Sequence, residues 1–311
     1  MKTHPQCVEC FERQASDACL MAGVSTELYK QIMERVREKI KSFPEDHPPV
    51  EMAGDIHELV RSLAGVEDPY AKIKEESNQV SRAAFPLLRE LVQQTSEPFL
   101  TAVKIAIAGN VIDFGAFSAD QMQQSQVINK IESIAAEPLI GNPVDELYEA
   151  VKSAHKILFI GDNAGECFFD YLLLEQLPLS KVVYAVRGGP VLNDATLEDA
   201  QKAGIPDICH VQDTGDQTPG VVPERSSQQF NETFTNSDLV IAKGQGNYES
   251  LSEYNDRTYA FLTKVKCNVI AHNIGFDKGS NVIRITQPER CVRNSSESSL
   301  DENSWLLVGS E

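Results

Sequence analysis

The sequence predicts an α/β protein: a mainly parallel sheet wound with helices, preceded by an all-helical region over residues 1–140. Two observations carry this. The apolar residues change period near Lys156, from helical spacing before it to short β-rich runs after it. Those runs then alternate with helix-like or Gly/Pro-rich stretches, the pattern of βαβ units.

In the first part, Leu28-Ile32-Val36-Ile40 marks one amphipathic stripe. Met52-Ile56-Leu59/Val60-Leu63 marks a second, with Gly65 as its stop. Pro44, Pro48 and Pro49 form a loop between the two. Phe85-Leu88-Leu91-Val92 continues the series, and Val144-Leu147-Tyr148-Val151-Ala154 recurs at i, i+3, i+4, i+7 and i+10. The predicted strands are Ile157–Ile160, Val182–Val186, Leu239–Ile241, Val269-Ile270 and Val282–Ile285. The expected divisions are 1–140 (helical), 141–292 (the α/β core) and 293–311, a Ser/Asn/acid-rich tail.

Composition narrows the function. With 311 residues, 41% of them hydrophobic, the chain fills a full core. A formal net charge of -18 without a basic stripe argues against nucleic acid as a partner. Residues 1–20 carry charges and no apolar stretch of a signal peptide, and Lys104 breaks the longest apolar run, so no membrane span is expected. Seven scattered cysteines without such a signal point to reduced thiols and a cytoplasmic protein.

Three strand ends carry the chemistry. Gly161-Asp162-Asn163-Ala164-Gly165-Glu166 follows the first run and sets carboxylate and amide oxygens at the carboxyl end of a strand, suited to a hard cation or a phosphate. Arg187-Gly188-Gly189 follows the second: glycine amides for an anion, an arginine fork, then Asn193 or Asp194 to cap a helix over Ala195 to Ala203. Lys243-Gly244-Gln245-Gly246-Asn247 follows the third. Each alone reads equally well as a turn, but in a parallel sheet the three ends converge on one edge. Together they offer carboxylates for a cation and Lys243 and Arg187 for an anion, the arrangement in which a divalent ion is shared with substrate phosphate.

At these segments the chain resembles the damage-control phosphatase family (domain of unknown function 89), in its branch with an N-terminal Cys-x-x-Cys. The resemblance runs through Cys7–Ala15, Asp68-Pro69-Tyr70, Ala108–Gly115, Gly161–Glu166, Arg187–Thr196, Asp238–Glu249 and Lys266-Cys267. It implies a three-layer αβα Rossmann-like core and divalent-metal-dependent hydrolysis of small phosphometabolites, phosphosugars and damaged or side-product phosphates among them. It places one divalent cation (Mn, Co, Ni or Mg) on Asp162, Asn163 and Asp194, and a phosphate contact on Lys243. Asp162, Lys243 and Arg187 are then the candidate catalytic residues; Gly188 and Gly189 join Lys243 in binding phosphate, and Asn110 and Asp113 shape the substrate pocket. Water is the expected nucleophile, with an aspartyl-phosphate on Asp162 as the alternative.

Cys7 and Cys10 read either as half of a second, structural metal site, completed from Cys19, Cys267, His4 or His272, or as two small apolar groups on a helix. Two other functions stay open: carboxyl methyl transfer from S-adenosylmethionine, which the resemblance implies through a related branch of the family and which the glycine-rich Phe159–Gly165 superficially matches, and non-catalytic phosphometabolite binding.

Overall fold

A computed structural model describes residues 1–109, 133 and 136–288. Seven strands form one sheet in the order β1-β7-β6-β5-β2-β3-β4. They are β1 (Leu139–Gly141), β2 (Ile157–Ile160), β3 (Val182–Val186), β4 (His210–Asp213), β5 (Leu239–Lys243), β6 (Thr258–Lys264) and β7 (Asn281–Thr286). Every neighbouring pair is parallel except β6 with β7.

The strands are short, and the central ones are apolar on both faces because both are covered. Along β2, Ile157 and Phe159 enter one apolar layer, Leu158 and Ile160 the other. The first layer is closed by α4 (Ala71–Gln94), α5 (Pro98–Gly109), α6 (Val144–Ser153), α7 (Cys167–Leu174) and α8 (Leu197–Lys202). The second is closed by α9 (Gln228–Asn236), α10 (Gly244–Leu251) and α11 (Asn268–Ile274). The result is the expected αβα sandwich.

At the amino-terminal end, α1 (Cys7–Met21), α2 (Thr26–Lys41) and α3 (Pro49–Ala64) bury a cluster of their own around Phe11, Ile32, Val36 and Ile56. Ser25 caps α2 by accepting from the Leu28 amide, and Gly65 ends α3 with φ +66°. By contrast, Leu88 of α4 and Ile105 of α5 lie in the core of the sheet. Two of the expected elements differ. Val269-Ile270 is the first turn of α11, whose amino end Cys267 caps through its sulfur. The helix after Asp194 begins only at Leu197, capped by a reciprocal Thr196–Asp199 box rather than by Asn193 or Asp194.

Candidate active site

The winding of the sheet reverses at β2. From there the chain runs outward through β3 and β4, then returns to the other side of β2 for β5 and β6. Such a reversal opens a crevice beyond the carboxyl ends of the strands. Asp162 and Asn163 stand at that end of β2, Arg187 follows β3, and Lys243 is the last residue of β5.

Backbone pairing fixes the first two segments against each other. Asn163 and Asp194 form an isolated antiparallel bridge, with the Ala164 amide donating to Asn193 O (2.9 Å) and the Ala195 amide to Asp162 O (2.8 Å). The loop reaches this position through Leu192, the one non-glycine residue with positive φ (47°) among those described, whose side chain packs on the α1–α3 cluster. An L-residue in that region is strained, so the loop is held there by packing and pairing on both sides. The bridge thus brings Asp194 beside Asp162 and Asn163, and all three line one cleft of about 710 Å³.

Behind them lies a layer of buried charge. Arg187, 1% exposed, donates from Nε to Asp194 Oδ2 (2.8 Å) and from Nη2 to Asn247 Oδ1 (3.1 Å). Its Nη1 is buried with no hydrogen-bond partner. Asn247 in turn donates to Gly161 O and Lys243 O, tying α10 to the ends of β2 and β5. Lys243 is fully buried; its Nζ donates to Glu166 Oε2 (2.9 Å) and Asp170 Oδ1 (2.7 Å). Glu166 accepts from Asn163 Nδ2 at 2.5 Å. Gly244 lets these groups approach: its φ is +80°, and a Cβ there would land on the Asp162 carboxylate.

Burial sets the protonation of these carboxyls. It pushes Asp194 up to about 7 despite Arg187, with Asp162 adding repulsion. It does the same to Glu166, up to about 7, against the pull of Lys243. For Lys243 burial works against the charge, yet Asp170 and Glu166 outweigh it and raise the lysine further. The donor set is therefore two carboxylates and an amide, all oxygen, crowded by negative charge. That chemistry fits a hard divalent cation.

Not every predicted residue faces the cleft. Lys243 stands behind Asn163, across Glu166. The Gly188 amide is already taken by Asp216 O (2.8 Å) and Thr214 Oγ1 (3.2 Å), and Gly189 packs against the Gln217 side chain. Asn110 and Asp113 lie outside the described residues.

Cys7 and Cys10 do face the cleft, together with Cys267, all as free thiols. Burial pushes Cys7 up to about 11. Cys19 points instead into the α1–α3 cluster. Among the described residues, no group of three or more His, Cys, Asp or Glu side chains is placed to hold a metal ion. No described helix is long and apolar enough to cross a membrane.

Sequence reasoning missed Asp170 and, though it named Asn247 in the third strand-end motif, gave it no role. Asp170 had a signal: an acid one helical turn after Glu166, inside the apolar Cys167–Leu174, requires a buried cation.

Comparison with known proteins gives the family. Residues 3–282 match the profile of the damage-control phosphatase ARMT1-like domain. A damage-control phosphatase of Pyrococcus horikoshii is 33% identical over 299 residues, covering 94% of this chain and 99% of its own length. One from Archaeoglobus fulgidus is 31% identical, covering 92% and 100%. An uncharacterised protein of Methanocaldococcus jannaschii is 35% identical, covering 91% and 95%. The crystal structure of a family member (domain of unknown function 89) from P. horikoshii superposes with a TM-score of 0.85 at 32% identity, covering 92% of this chain and all of that one.

Proposed function

This chain belongs to the damage-control phosphatase family, and from that premise we propose that it hydrolyses phosphate monoesters of small metabolites with the help of one divalent cation. The observation that carries the reading is the juxtaposition of Asp162, Asn163 and Asp194 by the Asn163–Asp194 bridge, at the floor of a cleft of small-metabolite size.

Those three residues would hold the cation. When bound, it supplies Lewis-acid polarisation of the phosphoryl oxygens and a lowered pKa for water. The protein's part is preorganisation. Arg187 fixes the Asp194 carboxylate through Nε, so that its other oxygen is left for the cleft. Glu166 and Asp162 both accept from Asn163 Nδ2, which turns the amide so that Oδ1 is its presented atom. Lys243 and Asp170 hold Glu166 in place and keep this layer near neutrality. The positive charges of Arg187 and Lys243 then act on the transferring phosphoryl group through a water-poor interior, where they count for more than in solvent. The reaction breaks the ester P–O bond and forms a new one to the oxygen of water.

The test is turnover of p-nitrophenyl phosphate and a panel of phosphosugars, with Mn, Co, Ni or Mg and with EDTA. Asp162→Ala and Asp194→Ala are each expected to lower metal-dependent phosphate release at least 100-fold while circular dichroism stays native-like. Full activity in either variant, or in EDTA, overturns the proposal.

A further inference from the structure

Hydrolysis of a sugar or other alkyl phosphate has a requirement that the residues described so far do not meet. The leaving oxygen departs as an alkoxide unless something gives it a proton. Asp162 and Asp194 are committed to the cation, and Lys243 is sealed behind Glu166.

We infer that Glu249 is the general acid that protonates the leaving oxygen, an inference that rests on the phosphatase reading above. Glu249 lies on α10 and lines the same cleft as Asp162, Asn163 and Asp194. It is the only cleft-lining carboxylate, besides Asp162 and Asp194, that is not exposed among the described residues. Its setting is defined from one side. Gln245, one turn earlier, accepts the Lys266 amide on Oε1 (3.1 Å), which fixes the direction of its own amide. Gln245 Nε2 must then face Glu249, and donates to its Oε1 at 2.9 Å. With Oε1 accepting in this way, Oε2 is the oxygen left to carry the proton when Glu249 is protonated.

The surroundings hold a share of Glu249 in that protonated form at neutral pH. Burial raises Glu249 to about 7, opposed by the Gln245 hydrogen bond and the amino terminus and reinforced by Asp162. The amino terminus donates to Glu249 O rather than to its carboxylate, and from α1 the group facing it is Cys7, a neutral thiol at this pH. Lys266 and Lys278 also line the cleft. A general acid works best with its pKa near the operating pH.

The step balances simply. The ester P–O bond breaks with its electron pair on the leaving oxygen, which takes the Glu249 proton and departs as an alcohol. Water's oxygen forms the new P–O bond; one of its protons stays on the phosphate, and the other passes to solvent, from which Glu249 is reprotonated.

The experiment compares two esters on the same metal-loaded enzyme. An alkyl phosphate needs the proton, whereas p-nitrophenolate leaves without one. Glu249→Gln, similar in shape, is expected to lower kcat/KM for the alkyl ester about 100-fold, and for p-nitrophenyl phosphate about threefold or less. The alkaline fall in kcat/KM for the alkyl ester should vanish in Glu249→Gln and return in Glu249→Asp. Equal losses on both esters, or an alkaline limb that persists in Glu249→Gln, overturn the assignment while leaving the phosphatase reading intact. A wild-type enzyme inactive on both esters with every metal overturns both.

Discussion

Replacing Lys243 with Met tests whether the second layer of the site is built as described. Nζ sits 2.9 Å from Glu166 and 2.7 Å from Asp170, and all three side chains are at most 1% exposed. Methionine keeps the stem and removes the charge, leaving two buried carboxylates without their counterion. Breaking a buried ion pair by removing one partner costs about 3–5 kcal/mol, because the remaining charge is uncompensated. At about 2.1 cal/mol/K per residue, unfolding this chain of 311 residues carries an entropy near 0.6 kcal/mol/K, so the melting temperature should fall by about 5–8 °C. The pH dependence identifies the cause. A carboxyl whose folded pKa lies above its unfolded value takes up a proton on folding, so its penalty is present above the folded pKa and disappears as pH falls toward the unfolded one. Glu166 and Asp170 are already raised in the wild type and will rise further without the lysine. Lys243 itself is raised, so it stays charged and does not titrate between pH 5 and 8. The deficit of Lys243→Met should therefore be largest near pH 8 and shrink toward pH 5. Calorimetric scans of both proteins in EDTA at pH 5, 6.5 and 8 measure this. A variant as stable as wild type at pH 8, or a deficit that grows on acidification, refutes the account of Lys243 as the counterion of two buried acids.

Other outcomes follow from the same geometry. Gly244→Ala forces a side chain into positive φ and onto the Asp162 carboxylate; it should cost about 1–2 kcal/mol in urea unfolding and reduce metal-dependent turnover more than tenfold. Glu249→Gln should be more stable than wild type at pH 8, with the advantage fading as pH falls from about 7 toward 4.5, since the buried carboxylate penalty exists only where Glu249 is ionised. Urea midpoints at pH 5 and 8 decide that, and an advantage that is larger at pH 5 contradicts it. Asp194→Asn should abolish most cation binding by calorimetry and, by leaving the buried Arg187 without its carboxylate, cost about 3 kcal/mol of stability.

Much of this arrangement was legible in the sequence, for a definite reason. Strand ends with Asp-Asn, Arg-Gly-Gly and Lys-Gly announce themselves because turn chemistry and ligand chemistry use the same few residue types. The β2, β3 and β5 runs were readable because they are short, apolar and β-rich. What escaped was decided by tertiary partners. The edge strand β4 (His210–Asp213) has half-polar residues that look like loop, and Thr258–Lys264 offers no clean alternation because β6 is buried on both faces. Val269-Ile270 looked like strand and became helix because Cys267 caps the turn. The periodicity of α4 and α5 showed that they are helices, but not that their apolar faces belong to the sheet. Within the site, sequence placed Lys243 at the strand end correctly and suggested contact with the phosphate; only the fold shows that Glu166 and Asp170 occupy its three protons' reach.

The net charge of -18 poses a problem for the proposed binding of an anionic substrate, and the charges around the cleft bear on it. The positive charges behind the donor set, on Arg187 and Lys243, are buried rather than displayed, while Lys266 and Lys278 line the cleft itself. Each buried charge is matched by carboxylates, so neither presents a free cation to solvent phosphate. A phosphate approaching the bare donor set meets Asp162 and Asp194, the latter already raised by burial, with repulsion from Asp162 added. On the proposed function, a divalent cation would offset both carboxylates at once. Binding the proposed cation would then release the proton that Asp194 holds near neutrality. Affinity for the metal, and with it affinity for the phosphate, should weaken as pH falls below about 7, and calorimetry in buffers of different ionisation enthalpy reads the released proton directly. On the proposed function, the two carboxylates of the donor set would make phosphate binding conditional on the metal, which would keep free phosphate out of the site when no cation is present.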